Sequence, residues 1–221
     1  MHGIRHFIFD LDGTITHPQT GIVGGYRHAF KKLGFADMKD EEIIPLIGPP
    51  LKYVFKDIYH LSPDAVHLAI QYYREYYYDQ GGMYEATIFE GMKELLQCLK
   101  GQQKILHIAT NKSLHVDKIL EHFDVLDYFD TIEHYNEEKN VISKERMIEN
   151  ILQNSSVTDK DTVVMIGDRK HDLCAARNVG VHAIGILHGF GGREELEECM
   201  PDHIVSNTAE LHALLCPPLE K

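Results

Sequence analysis

The 221-residue sequence predicts an α/β fold: a Rossmann-like parallel sheet with helices on both faces and an all-helical insertion after its first strand. From Thr87 onward, apolar strand-like runs alternate with stretches of helical periodicity, the pattern of a parallel sheet whose crossovers are helices. Between about residues 17 and 85 the pattern is helical only. Three strand-like runs end in polar groups, at Asp10, Thr110 and Asp168, and an open parallel sheet gathers its ligands at the carboxyl ends of its strands. The expected division is residues 1–16 and 86–221 for the sheet-based core and 17–85 for the insertion, a lid over the sheet edge.

Each element has a local reason. Phe7-Ile8-Phe9 is a short apolar run that stops at Asp10, as a buried strand does. Ile22, Val23, Tyr26, Phe30 and Leu33 recur at helical spacing, and Gly34 ends the helix. Asp40 is placed to cap a short helix. Pro50 suits a first helical turn, followed by Leu51, Val54, Phe55 and Ile58 on one face. Ser62-Pro63-Asp64 reads as an N-cap with proline behind it, and Val66, Ala69, Ile70, Tyr73 and Tyr77 carry the stripe to Gly81-Gly82. The tyrosine run from Tyr72 to Tyr78 wraps more than one helix face, so it reads as packing within the insertion rather than a base-stacking platform.

The core then runs as a helix from Met92 to Leu99, a strand Ile105–Thr110, a helix through Leu114 to Phe123 and a short strand at Thr131-Ile132-Glu133. A helix from Lys144 to Leu152, a strand ending in Ile166-Gly167-Asp168 and a helix stopped by Gly180 follow. A strand from Ala183 to Leu187, another at His203-Ile204-Val205 and a terminal helix complete the pattern.

Composition excludes several classes. A formal charge of -12 disfavours nucleic acid and anionic membrane surfaces, although a bound divalent ion can invert the local field for a small phosphorylated substrate. Cys98, Cys174, Cys199 and Cys216 are widely spaced with no CxxC pair, and read as free thiols of a cytoplasmic protein. No run has membrane-spanning length, and with Met1-His2-Gly3-Ile4-Arg5 leading directly into the first strand no signal peptide is expected. Fifteen histidines are scattered without metal-ligand spacing.

Asp10 and Asp12 stand two places apart after a buried strand, so both carboxylates can face one pocket. Such groups are costly unless a cation or a reaction uses them. One can hold a metal and attack as a nucleophile while its neighbour manages protons. Asp172 lies one helical turn beyond Asp168 and can face the same place. Arg169, Lys170 and His171 read as solvent-facing or locally paired.

Three segments now combine: Asp10-Leu11-Asp12-Gly13-Thr14, Ile108-Ala109-Thr110-Asn111, and Gly167-Asp168-Arg169-Lys170-His171-Asp172. Their order and their places after strands resemble the haloacid dehalogenase superfamily over nearly the whole chain, specifically its phosphatase branch with a helical cap. The resemblance implies that Asp10 attacks phosphorus to form an aspartyl-phosphate. Asp12 would protonate the leaving oxygen, then take the proton of the hydrolytic water. It also implies Mg2+ held by Asp10, Asp168 and the backbone carbonyl of Asp12, with Asp172 supporting the site. Thr110 and Asn111 would bind the phosphate, and a lysine would neutralise charge. The family often has Lys-Pro before its last motif; here Lys144 lacks the proline but follows the candidate cap Ser143. Lys112 is the competitor.

The expected activity is hydrolysis of a small phosphomonoester by a monomer or homodimer, without nucleic acid or membrane partners. The insertion resembles those of phosphoglycolate phosphatases through the Gly-Ile-Val opening of its first helix, Ile47-Gly48-Pro49-Pro50-Leu51 and Gly91–Leu96. A nucleoside 5'-monophosphate phosphatase and a sugar phosphomutase are the alternatives. Dehalogenase chemistry needs no second acid, and Asp12 is present. A phosphonate hydrolase needs a buried insertion lysine, which nothing marks among Lys31, Lys32, Lys52 and Lys56. Receiver domains place their acids differently, and a non-catalytic phosphate-binding protein would have lost Asp10 or Asp12. Gly48-Pro49-Pro50 is a specificity candidate, since amides opening a helix attract anions. Hinges are expected near Thr16-His17-Pro18 and Gly81-Gly82. Gly185 and Gly189–Gly192 match no nucleotide loop and suggest a mobile loop near the active edge.

Overall fold

The computed structural model describes residues 3–217, so Met1 and His2 at the head of the expected leader into the first strand lie outside it. The chain forms two compact units: Met1–Thr16 with Ile88–Lys221, and His17–Thr87. It opens with β1, His6–Phe9, and the crossings between units fall in two short strands, β2 (Thr16–His17) and β3 (Thr87–Ile88), which pair with each other.

The helical unit contains α1 (Gln19–Lys32), α2 (Asp40–Ile43), α3 (Leu51–Tyr53) and α4 (Pro63–Arg74), with π-helical turns at Val54–Ile58 and Glu75–Asp79. Its centre is aromatic: Tyr26 packs 5.7 Å from the Phe55 ring and 5.1 Å from the Tyr73 ring. Tyr73 and Tyr77 are buried, while Tyr72, Tyr76 and Tyr78 stay partly open. Ser62 caps α4 as expected, accepting from the Ala65 N–H at 3.4 Å. Asp40 does not cap α2. It is the first helical residue, and Lys39 holds the cap position with its N–H donating to Glu42 at 2.8 Å. Asp40, Glu41 and Glu42 in the first turn supply the negative charge favoured at a helix start. Pro50 likewise precedes α3 rather than entering its first turn.

The other unit continues with α5 (Met92–Gly101), β4 (Ile105–Thr110), α6 (Val116–His122), β5 (Thr131–His134), α7 (Lys144–Asn154), β6 (Val163–Gly167), α8 (Lys170–Val179), β7 (His182–Ile186), α9 (Arg193–Glu197), β8 (His203–Val205) and α10 (Thr208–Leu215). Six strands form one parallel sheet in the order β5-β4-β1-β6-β7-β8. Ile8 and Met165 face Met147, Ile148 and Ile151 of α7 and Leu173 and Ala176 of α8 in one buried cluster. Phe7 and Phe9, one residue out of phase, point to the opposite face, where Phe9 meets the Phe129 ring at 6.4 Å. Burial of each of the apolar β1 side chains Phe7, Ile8 and Phe9 contributes about 1.5–3 kcal/mol. The strand is thereby held at the middle of the sheet, with its carboxyl end beside those of β4 and β6.

Some features were not legible. The five-residue α9 is acidic and lacks an apolar stripe, so no periodicity announced it. Helix α6 begins at Val116, leaving Leu114 exposed. The cysteines are disulfide-bonded, Cys98 to Cys216 and Cys174 to Cys199, which corrects the reading of free thiols. The partners stand 118 and 25 positions apart, so no local spacing reveals them. The fold brings their Cα atoms to 6.6 and 4.9 Å, within the span a disulfide bridges. Among the described residues, no helix is long and apolar enough to cross a membrane.

Candidate active site

Three adjacent strands deliver the polar groups. The sheet register pairs Phe9 with Ile108 on one side and Ile166 on the other, and the Asp10 N–H continues the ladder to the Ile166 carbonyl at 2.9 Å. Asp10, Thr110 and Asp168 therefore emerge at one edge. Asp172, on the first turn of α8, joins them: carboxylate oxygens of Asp10, Asp168 and Asp172 all lie within 4.8 Å of one another, and all three residues are buried.

Lys144, the first residue of α7, enters from a third direction. Ser143 caps that helix through the Arg146 N–H at 3.2 Å, which fixes where α7 starts. The buried Lys144 Nζ donates at 2.8 Å to Asp10 Oδ1 and at 2.8 Å to the Ala109 carbonyl, and pairs at 2.8 Å with Asp172 Oδ1. Burial opposes its charge, but the two carboxylates outweigh that cost and raise its pKa. Lys112 does not reach the same place. Its Nζ pairs with Asp12 Oδ2 at 2.9 Å, so each lysine serves a different aspartate.

Asp168 is fully buried. Its Oδ1 accepts from the Thr14 hydroxyl at 3.2 Å and its Oδ2 from the Phe190 N–H at 2.7 Å. Burial and the neighbouring Asp10 and Asp172 push its pKa well above the carboxylate range. Burial raises Asp172 to about 6 against the opposing pull of Lys144. Asp172 also accepts from the Arg169 N–H at 3.2 Å. Asp12 is shifted upward by burial, with the Lys112 ammonium opposing, and its Oδ1 is buried without a hydrogen-bond partner among the described residues.

The turn after β1 is tight. Gly13 has φ +87°, and a Cβ there would strike the Asp168 carboxylate. Gly189 packs on the same carboxylate oxygen and on the Gly13 carbonyl, with no room for a side chain. The glycine loop, expected as mobile, is thus packed on Asp168, and its Phe190 amide was the contribution the sequence reading missed. The flanking glycines were its only signal. His188 was missed as well: its Nε2 lies 3.1 Å from the Thr14 carbonyl and its ring stacks on Phe89 at 3.6 Å.

The Thr110 hydroxyl oxygen accepts from the Lys112 N–H at 3.2 Å, leaving its proton for an incoming anion. Asn111 follows, half-buried. Arg169 and Lys170 pair locally, with Glu195 at 2.8 Å and Glu198 at 3.2 Å, and His171 is exposed. Gly48 and Pro50 belong to the helical unit.

Four carboxylates (Asp10, Asp12, Asp168, Asp172) face two ammonium groups (Lys112, Lys144), which leaves two negative charges when all are ionised. The excess matches a divalent cation, and an all-oxygen donor set suits a hard one. Burial and the like charges of Asp10 and Asp172 disfavour ionised Asp168, an effect a bound cation would oppose.

The chain is similar to known proteins over nearly its whole length. The family model described as haloacid dehalogenase-like hydrolase matches residues 7–186. A 5'-nucleotidase of Pseudomonas aeruginosa is 33% identical over 211 residues, covering 95% of each chain. A solved haloacid dehalogenase-like hydrolase from Streptococcus pneumoniae superposes with a TM-score of 0.88 at 31% identity, over 97% of this chain and 99% of that one. A Clostridium acetobutylicum protein described as a predicted phosphatase gives 0.89 at 32% identity, over 96% and 98%.

Proposed function

Because the chain belongs to the haloacid dehalogenase-like hydrolase family, we propose that it is a Mg2+-dependent phosphatase of small phosphomonoesters, acting through an aspartyl-phosphate at Asp10. The observation that carries this reading is the placement of Asp10 at the end of the central strand, with Asp168 at the end of the next and Lys144 bridging Asp10 to Asp172. Asp10, Asp168 and the Asp12 backbone carbonyl would hold the cation, with Asp172 in support; bound there, Mg2+ neutralises the repulsion between a phosphate dianion and a carboxylate nucleophile.

The residues then divide the work. The Thr110 hydroxyl and the Asn111 amide orient the phosphate. An Asp10 oxygen attacks phosphorus while the bond to the leaving oxygen breaks, and that oxygen takes a proton from Asp12. The upward shift of Asp12 by burial favours its protonated form, the form the acid step needs. In the second half a water attacks phosphorus, gives its proton to Asp12 and frees Asp10 and inorganic phosphate. Lys144 holds Asp10 in its attacking rotamer and balances charge throughout. Substrate choice is assigned to the helical unit, acting as a cap.

Phosphoglycolate is one candidate substrate. Nucleoside 5'-monophosphates are the other, favoured by the 33% identity to a 5'-nucleotidase across 95% of the chain. Phosphate release from phosphoglycolate, nucleoside monophosphates and sugar phosphates, with Mg2+ or EDTA, tests the reading. Metal-dependent release with one preferred class supports it; no release from any ester rejects it.

A further inference from the structure

Away from the carboxylate edge, the last helix brings a second set of metal-ligand atoms together. His212, on α10, and Cys216, at its C-terminal cap, are four residues apart and so share a face. Both meet Cys98 on α5, the helix that α10 packs against. One ring nitrogen of His212 and the sulfurs of Cys98 and Cys216 all lie within 4.8 Å of one another. Cys216 is buried and the other two are half-buried.

A disulfide engages only the two sulfurs. The imidazole is a third donor that the covalent bond does not use, and two thiolates with a neutral imidazole form a borderline-soft set that suits Zn2+. A tetrahedral ion with bonds of about 2.0–2.3 Å needs ligand atoms roughly 3.3–3.8 Å apart, inside the 4.8 Å that spans this cluster. A cavity of about 670 Å3 adjoins it, lined by Glu94, His212, Asn207 and Thr208 among others. Glu94, one turn before Cys98 on α5, lines this cavity with His212, so the fourth position of such an ion would be open to a water from it.

We propose that, in the reduced protein, Cys98, His212 and Cys216 form a Zn2+ site, and that the Cys98–Cys216 disulfide is its oxidised, metal-free form. The interconversion balances. A dithiol reductant gives two electrons and two protons to the disulfide and becomes a disulfide itself. Zn2+ then displaces both thiol protons and binds the neutral imidazole. Either form ties α10 to α5, so the pair fixes the end of the fold in both redox states. The site is separate in chemistry from the all-oxygen cluster at Asp10, and the two sort hard and soft cations between them.

Cobalt titration of protein reduced with a phosphine, in a Cys174→Ser/Cys199→Ser background, tests the proposal. The expected result is a thiolate-to-cobalt charge-transfer band that saturates at a single ion per chain and is displaced by Zn2+. Cys98→Ser should abolish the band. His212→Ala should weaken cobalt binding by at least the roughly 10- to 100-fold that even an outer-sphere partner is worth. Asp10→Asn should leave the band unchanged. In the protein with all four cysteines, Zn2+ should protect Cys98 and Cys216 from alkylation, mapped by mass spectrometry. Full thiol reduction with no band, a band surviving in Cys98→Ser, or equal alkylation with and without Zn2+ would each overturn it.

Discussion

The Lys144 Nζ lies 2.8 Å from Asp10 Oδ1, across 134 positions of sequence, and it lies equally close to Asp172. The lysine side chain is 3% exposed and the two carboxylates 9% and 2%, so the triad sits where charges interact strongly. Its ammonium keeps two like-charged neighbours together and fixes the orientation of the proposed nucleophile.

Lys144→Ala should therefore destabilise the protein by about 3–5 kcal/mol, because it leaves buried carboxylates uncompensated. Urea unfolding without metal measures this. Added Mg2+ should restore part of the loss, and Lys144→Arg should not, since a planar guanidinium cannot occupy a three-way ammonium position. An unchanged midpoint in Lys144→Ala would remove the lysine from this role.

Lys112→Met should act on protons instead. The Lys112 charge opposes the burial that raises Asp12, so its loss lifts the Asp12 pKa further. Formation of the phosphoenzyme needs Asp12 protonated and fails as pH rises through that pKa. The alkaline limb of kcat/KM should therefore move to higher pH in the variant. A limb that stays in place would show that Asp12 is not the acid.

Much of this site was legible because its parts are strand ends. Asp10, Thr110 and Asp168 each follow a short, largely apolar run that reads as a buried strand, and parallel topology then brings them to one edge. Lys144 was legible only through the family resemblance, with the Ser143 cap supporting its place at a helix start. The division of labour between Lys144 and Lys112 was not, because sequence cannot give the direction of a long side chain. The Phe190 amide was hidden for a related reason: a backbone donor has no residue type. The disulfides depend on contacts over 118 and 25 positions, for which no local pattern exists.

A buried histidine pair makes stability depend on pH. His6 Nδ1 and His107 Nε2 lie 3.1 Å apart on neighbouring strands, so one ring must donate and the other accept. Burial, reinforced by His6, lowers His107 from its ordinary 6.5 to about 4. Between these values the unfolded chain binds a proton that the folded chain declines. The stabilising difference is complete above about pH 6.5 and is lost as pH falls toward 4, on the order of 3 kcal/mol. Urea midpoints at pH 7 and pH 5 should show the loss, and His107→Gln should flatten it. An equally steep profile in the variant would assign the effect to other groups.

Removal of metal should be visible without any substrate. The carboxylates of Asp10, Asp168 and Asp172 are mutually repulsive, and a bound cation relieves them. Mg2+ at about 100 times its Kd should stabilise the protein by about 2.7 kcal/mol, read as a rise in Tm over an EDTA control. Asp168→Asn should erase that increment. A Tm insensitive to Mg2+ would argue against a metal at this edge.

The most direct measurement traps the covalent intermediate. Protein turning over its best phosphomonoester is quenched with borohydride, which reduces an acyl phosphate to an alcohol, and the peptide containing residue 10 is analysed by mass spectrometry. The expected product is homoserine in place of Asp10, absent without substrate, with turnover in Asp10→Asn reduced on the order of 10^4-fold or more while the fold is retained. Sustained phosphate release with an unmodified residue 10 peptide, or an Asp10→Asn variant that keeps most of its activity, would contradict the assignment of Asp10 as the nucleophile.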